Sequence, residues 1–183
     1  MLCVQKRVKL LKTSPQGIHV LLMSDIAIID IEASGLHFDS YPIEVAVRVN
    51  AETKSWLIRP ESSWTYWSET AQSMHGISRA DLIANGLPPL QVAQELNNFL
   101  SQTDGLIYSD AAKWDNDWVN TLYHATNEPQ LFHILSLFDL LEPFQHSQFC
   151  DVKYQLASSG KYRQHRAAED VELIYESFIK TKA

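Results

Sequence analysis

Four carboxylates and one histidine are spread across most of this 183-residue chain: Asp30, Glu32, Asp115, His165 and Asp170. Each alone is a weak signal, but their types and order suit a single chemistry. Cleaving a phosphodiester with water requires an activated nucleophile, in-line geometry and charge relief at the leaving oxygen. Two divalent cations about 4 Å apart, held by carboxylates, meet the last need and help with the first. Oxygen ligands favour Mg²⁺ or Mn²⁺ over Zn²⁺. A neutral histidine beside them can take the proton of the attacking water, since its side chain titrates near neutral pH.

The local sequence around each residue tests that reading. Asp30 and Glu32 lie in Ile-Ile-Asp-Ile-Glu-Ala-Ser-Gly. In a strand, residues i and i+2 share a face, so the two carboxylates can converge. An isolated Asp-x-Glu is common by chance. Here the apolar run before it would bury Asp30 without a partner, which a folded protein avoids. Asp115 stands between Asp110 and Asp117. On a helix its neighbours at three, four and seven positions are Trp118, Val119 and Leu122, an apolar inward face. Asp117 has Asn120, Thr121 and His124 at those positions, a polar outer face. Asp110 precedes that helix and reads as a strand terminator. Asp170 sits among Val171, Leu173 and Ile174 early in an amphipathic segment. A regular helix would place His165 about 140° away from Asp170, so His165 must lie in a loop or frayed first turn. Ser158-Ser159-Gly160 supplies a loop there.

The elements that would position these residues can be read from periodicity. Residues 26–31 form a buried apolar strand that ends at a Gly35 turn. Ile43, Val45, Val47 and Val49 alternate as a half-buried second strand. A third covers 56–58 and stops at Arg59-Pro60. Ser78-Arg79-Ala80-Asp81 opens a helix with a capping box, and Pro88-Pro89 opens another running to about residue 100. A fourth strand over 106–108 leads into a helix over about 115–125. A strand over 134–138 and a helix over about 167–180 follow. The expected class is α/β, a mixed sheet of about five strands flanked by helices, in one domain over residues 25–183.

Residues 1–24 differ in kind. They carry Lys6, Arg7, Lys9 and Lys12 and no acidic residue. Their apolar stretch over 18–23 is too short and too late for a signal-peptide core. A flexible basic extension, an organellar targeting segment, and sequence upstream of a start at Met23 all fit, the first best.

Composition narrows the class further. With 45% apolar and 20% charged residues, the chain is an ordinary globular protein of single-domain size. No apolar run is long enough to span a bilayer. Cys3 and Cys150 have no metal-ligand spacing and read as free thiols of a cytoplasmic protein. The net charge of −7 disfavours tight binding of long polyanions, which relies on many basic contacts. Bound cations invert the local field, so an acidic protein can still grip one terminal phosphate. That combination favours single-stranded ends over duplex.

In order, Asp-x-Glu, then Asp, then His-x-Ala-x-x-Asp resembles the DEDDh 3′→5′ exonucleases, a family that includes polymerase proofreading domains, oligoribonuclease and ribonuclease T. The likeness covers about residues 26–175. Asp30-Ile31-Glu32-Ala33-Ser34-Gly35 matches the first motif, with Ala-Ser where Thr-Thr is commoner. Met74-His75-Gly76-Ile77-Ser78 matches an intervening His-Gly-Ile-Ser/Thr segment that lines the terminal-nucleotide pocket. His165-Arg166-Ala167-Ala168-Glu169-Asp170 matches the third motif in full. The second motif departs: Asp110-Ala111 stands where His-Asn is frequent. The resemblance implies a ribonuclease-H-like fold and two cations, Mg²⁺ or Mn²⁺, on Asp30, Glu32, Asp115 and Asp170. It also implies His165 as general base and substrate contacts from Ser34, Gly35 and His75. The implied reaction releases nucleoside 5′-monophosphates from single-stranded DNA or RNA 3′ ends.

Other residues carry weaker expectations. Trp64, Tyr66 and Trp67 could stack bases, although such clusters are more often packing residues. Lys153, Lys161, Arg163 and Arg166 surround the expected loop and could meet phosphates. Glu44 could orient the metal ligands or sit at a strand edge. Three readings of function remain: a stand-alone exonuclease, as a single chain or a homodimer; a proofreading-type subunit on a polymerase; and a non-catalytic module that binds nucleic acid or protein.

Overall fold

A strand buried on both faces has to lie inside a sheet, and the apolar run ending at Asp30 does. The computed structural model describes residues 26–183; the basic segment over 1–24, with its three readings, falls outside the described residues. β1 (Ala27–Ala33) is the central strand of a five-stranded sheet in the order β3-β2-β1-β4-β5. β2 (Pro42–Val49) runs antiparallel to β1, and β3 (Glu52–Leu57) antiparallel to β2. The tight β2–β3 turn is made possible by Asn50, whose φ of 56° lies in the left-handed region that asparagine tolerates. β4 (Leu106–Ser109) and β5 (His133–Ser136) extend the sheet in parallel with β1.

Six helices accompany the sheet among the described residues. α1 (Glu69–His75) is capped by Ser68, and α2 (Arg79–Asn85) by the Ser78–Asp81 capping box. α3 (Pro89–Leu100) begins with proline in its first turn, where no N–H is missed. α4 (Ala112–Thr126), α5 (Gln145–Ser158) and α6 (Ala167–Lys182) complete the chain. The two faces of the sheet then follow from residue parity. Ala27, Ile29, Ile31 and Ala33 pack with Val45, Val47 and Val49 against Val92, Leu96 and Phe99 of α3 and Val119 and Leu122 of α4. Ile26, Ile28 and Ala46 face the other way, onto Phe149 of α5 and Val171, Ile174 and Phe178 of α6. Asp30 and Glu32 continue this second face by the same alternation, toward α6.

Four elements differ from their sequence expectations, each for a physical reason. β2 is buried on both sides rather than half-buried, because α6 covers its even-numbered face. There Arg48 bonds Glu172 at 3.0 Å and stacks its guanidinium 3.5 Å from the Tyr175 ring centroid. β3 starts four residues earlier than its apolar end suggests; as an edge strand it tolerates polar residues on both faces. β5 stops at Ser136, whose hydroxyl accepts the Phe138 N–H and turns Leu137–Leu140 into a 3-10 turn. α5 has no counterpart in the sequence reading, since Phe149 is its one buried residue and its apolar positions do not follow a helical period.

Candidate active site

β1 delivers Asp30 and Glu32 to the sheet face covered by the start of α6. Asp170 lies in the first turn of α6 and its Oδ2 accepts the Arg166 N–H at 3.1 Å, so one carboxylate both closes the helix start and faces β1. One oxygen from each of Asp30, Glu32 and Asp170 lies within 4.8 Å of the others. His165 precedes the helix with φ of 62°, exposed on the loop as the 140° argument requires. All four line one cavity of about 610 Å³, together with Asp115, Asp110 and Lys153.

Asp115 reaches the cavity from the first turn of α4, which starts three residues before it. It is buried while Asp117 is exposed, as the helical faces predict. Its Oδ2 accepts the Ser109 hydroxyl, and Ser109 Oγ accepts the Ala111 N–H at 2.8 Å, tying the end of β4 to the helix start. Asp115 is not among the three acids whose oxygens converge within 4.8 Å.

Docking of α6 depends on Glu44, which pairs with Glu32 across β1 and β2. Glu44 is 2% exposed and accepts three hydrogen bonds: Arg166 Nε at 3.0 Å, Arg166 Nη2 at 2.8 Å and the Ala167 N–H at 3.1 Å. This bidentate pair fixes the backbone joining His165 to Asp170. Glu44 therefore holds the helix start rather than lying at a sheet edge.

Packing so many acids together disfavours their charged forms. Burial pushes the Asp30 carboxyl well above its usual range, reinforced by Asp115, Asp170, Glu32 and Asp110. Burial, with Asp170 and Glu44, pushes Glu32 up to about 7, against the opposing pull of Arg166. Asp115 is pushed up to about 7 by burial, and Asp170 upward chiefly by burial. This uncompensated negative charge on hard oxygen donors fits divalent cations. One consequence is measurable. A raised carboxyl contributes stability that is fully present below its unfolded value, 4.5 for Glu32, and is lost as pH rises through about 7. In chelator, wild type should therefore lose about 2 kcal/mol relative to Glu32→Gln between pH 4.5 and 8, a few degrees of melting temperature. Thermal melts of both proteins across that range check it, and parallel curves would contradict it.

A second, smaller cavity of about 170 Å³ adjoins the first, with Glu32 and His165 in both walls. Gly35, Leu36, Met74 and His75 also line it. Gly35 admits no side chain, since a Cβ there would meet Tyr66 Cε1 at 2.8 Å and Ser68 Cβ at 3.0 Å. His75 is buried, and burial lowers its pKa, keeping the ring neutral. Its Nδ1 accepts the Ile77 N–H at 3.0 Å, so Nε2 carries the proton, and Nε2 has no partner among the described residues. Gly76 supports this turn as the helix cap, with φ of 71°. Ser34 is placed otherwise: it is fully buried, its Oγ accepts the Tyr41 N–H at 3.1 Å, and it lines neither cavity.

The weaker candidates separate. Trp64 stacks on Tyr41, Trp67 bonds Gln72 and meets the edge of His75, and Tyr66 stacks on His37. These are packing roles. Lys161 is tied to Glu176 at 2.5 Å and Arg166 to Glu44, while Arg163 is exposed beside Gly76. Lys153 belongs to α5 rather than a loop and pairs with Asp110 at 2.5 Å. Asp110 is thus a cavity residue rather than a simple strand terminator, and Trp114 and Tyr154 add exposed aromatic walls. In the sequence Asp110 reads only as the acid that ends the strand before α4, and no sequence signal marks Lys153 as its partner. Cys150 is exposed and forms no disulfide among the described residues. No helix among them is long and apolar enough to cross a membrane.

No protein-family model matches the sequence, and no curated protein matches it either. Solved structures do match in fold. Exonuclease I of E. coli, in complex with a dA16 oligonucleotide, aligns with a TM-score of 0.66 at 13% identity over 85% of this chain. A 3′-exonuclease described in 3′-end specific recognition of a histone mRNA stem-loop aligns at 0.66 and 16%, over 86% of this chain and 80% of its own. Exonuclease I from Methylocaldum szegediense aligns at 0.66 and 11% over 85% of this chain. The chain spans about 40% of the length of these exonuclease I chains. The mixed sheet flanked by helices, expected from the element order, matches the ribonuclease-H-like α/β fold of these exonucleases, which the resemblance implied.

Proposed function

We propose that this protein is a DEDDh-type 3′→5′ exonuclease acting on single-stranded DNA or RNA ends. The observation that carries the reading is the convergence of Asp30, Glu32 and Asp170 oxygens within 4.8 Å, in one cavity with His165 and Asp115. The fold shared with exonucleases supports it. Asp30, Glu32, Asp115 and Asp170 would hold two divalent cations, Mg²⁺ or Mn²⁺, which supply charge relief at the phosphate and help ionise water.

The chain's own residues do the rest. His165, on the loop at the mouth of both cavities, takes the proton of the attacking water and returns it to solvent. The smaller cavity receives the terminal nucleotide, with the His75 Nε2–H, which has no partner among the described residues, donating to it. A donor so buried without a partner is costly unless a ligand accepts from it. Glu44 and Arg166 keep His165 and Asp170 in register over β1. The product is a nucleoside 5′-monophosphate.

The deciding experiment incubates purified protein with 5′-labelled single-stranded DNA and RNA oligomers in Mg²⁺, Mn²⁺ or chelator. A metal-dependent ladder that shortens from the 3′ end is expected, and comparison of the two polymers ranks them. His165→Ala should slow the ladder by about 10²–10⁴-fold, the range for loss of a general base, while leaving the melting temperature near wild type because the side chain is exposed. No cleavage of either polymer by folded protein would sink the stand-alone reading in favour of a polymerase-bound subunit or a binding module.

A further inference from the structure

The large cavity contains one cationic side chain that the roles above leave unused. Of its lining residues, Lys153 is the one lysine or arginine, among the acids Asp30, Glu32, Asp110, Asp115 and Asp170. Its ammonium sits 2.5 Å from Asp110 Oδ2, and its side chain is only one-third exposed. Burial alone would favour the neutral amine, yet Asp110, Asp30 and Asp170 outweigh it and hold the group charged. An ammonium carries three donor protons. Asp110 takes one, and no other described residue accepts from it. Two charged donors therefore remain free inside a cavity about 610 Å³ in volume.

Neighbouring cations do not share this position. Arg166 is held in a bidentate pair by Glu44, and Lys161 is bound to Glu176, outside the cavity lining. A phosphodiester entering the site is an anion approaching five carboxylates, and cations bound to those acids reverse the field only where they sit. A lysine suits the remaining side, because its four-carbon stem lets a compact charge swing while staying anchored by one carboxylate.

We propose that Lys153 is a substrate-contacting residue whose free ammonium protons grip a non-bridging oxygen of the phosphate at the 3′-terminal linkage, with Asp110 holding it in place. This rests on the exonuclease reading and names how that site recognises its anionic substrate. Asp110 acts through Lys153 and is a positioning residue. The pair joins the end of β4 to α5 across 43 residues of sequence.

Binding in Ca²⁺ tests the contact apart from cleavage. Affinity is measured by fluorescence anisotropy for a 5′-labelled DNA oligomer, and for the same oligomer with an uncharged methylphosphonate at its 3′-terminal linkage. The matching RNA pair is run beside it, and the tighter-binding polymer is scored. Lys153→Met and Lys153→Gln remove the charge at similar length, whereas Lys153→Arg keeps it. The expected result is that wild type prefers the phosphodiester, that Met and Gln lower that preference about tenfold, and that Arg retains most of it. A preference unchanged in the Met and Gln variants, whatever happens to their melting temperatures, overturns the proposal while leaving an active exonuclease intact. Wild type that neither binds nor cuts either polymer overturns the exonuclease reading and this proposal together.

Discussion

Asp30→Asn should lower the proposed cleavage of single-stranded oligomers by at least about 10³-fold in Mg²⁺ or Mn²⁺ and, in chelator, raise the melting temperature. Both effects come from one location. Asp30 faces Asp115, Asp170, Glu32 and Asp110 at once, and its carboxyl is pushed far up by burial and by that company. Its charge is the hardest in the site to bury without a cation. Losing several kcal/mol of charge stabilisation in the transition state is worth about 10³-fold or more in rate. The folded protein without cations gains by the same substitution, because an amide carries no charge to repel its neighbours. Initial rates and thermal melts on one preparation of each protein read both signs. Asp139→Asn, an exposed acid lining neither cavity, is the control and should move neither quantity. An Asp30→Asn protein that cuts at the wild-type rate would refute the assignment.

Glu44→Ala should cost about 3–5 kcal/mol, the usual penalty for orphaning a buried ionic partner, which is roughly 10 °C or more in melting temperature for a domain of this size. The carboxylate it removes accepts two guanidinium bonds and the first N–H of α6. Alanine leaves Arg166 facing a pocket it cannot satisfy and releases the junction between His165 and Asp170. Cleavage should fall with stability, and more than stability alone explains when rates are taken well below the melt. Glu44→Ala combined with Arg166→Met should recover most of the lost stability and little of the activity, since the orphan charge is gone but the junction is still unfixed. Equal stability of the single and double variants would show that the pair contributes geometry without energetic coupling.

The readable parts of this protein are those where one short-range period decides the outcome. Asp30 and Glu32 share a face because β1 is a strand, and Asp115 points inward because Trp118, Val119 and Leu122 do. The loop position of His165 followed from helix geometry against Asp170, and the structure places it before α6 with a left-handed φ. What escaped depends on residues far apart in sequence. Glu44 and Arg166 are 122 residues apart, and Asp110 and Lys153 are 43 apart. No window of the sequence contains either pair. α5 escaped because Phe149 is its one fully buried residue and Cys150, Lys153, Tyr154 and Ala157 face a cavity, so it shows no apolar stripe. The motif position of Ser34 suggested substrate contact, yet its hydroxyl is spent on Tyr41. Burial of that kind is decided by the turn across the strand end, not by the motif.

α6 packs on β1 and β2 and carries Asp170, the last of the proposed ligands, with the loop before it carrying His165, the proposed base. During synthesis this order acts as a delay. A nascent chain that has reached only the end of α5 already displays Asp30, Glu32 and Asp115, but has neither His165 nor Asp170 nor the Arg166 that seats them. Domains generally fold as units during synthesis, and α6 packs on β1 and β2, so the site stays incomplete until that helix has been made. If the proposed exonuclease reading holds, a chain built this way can gain activity only after α6 has been made and docked, at a distance from the message that encodes it.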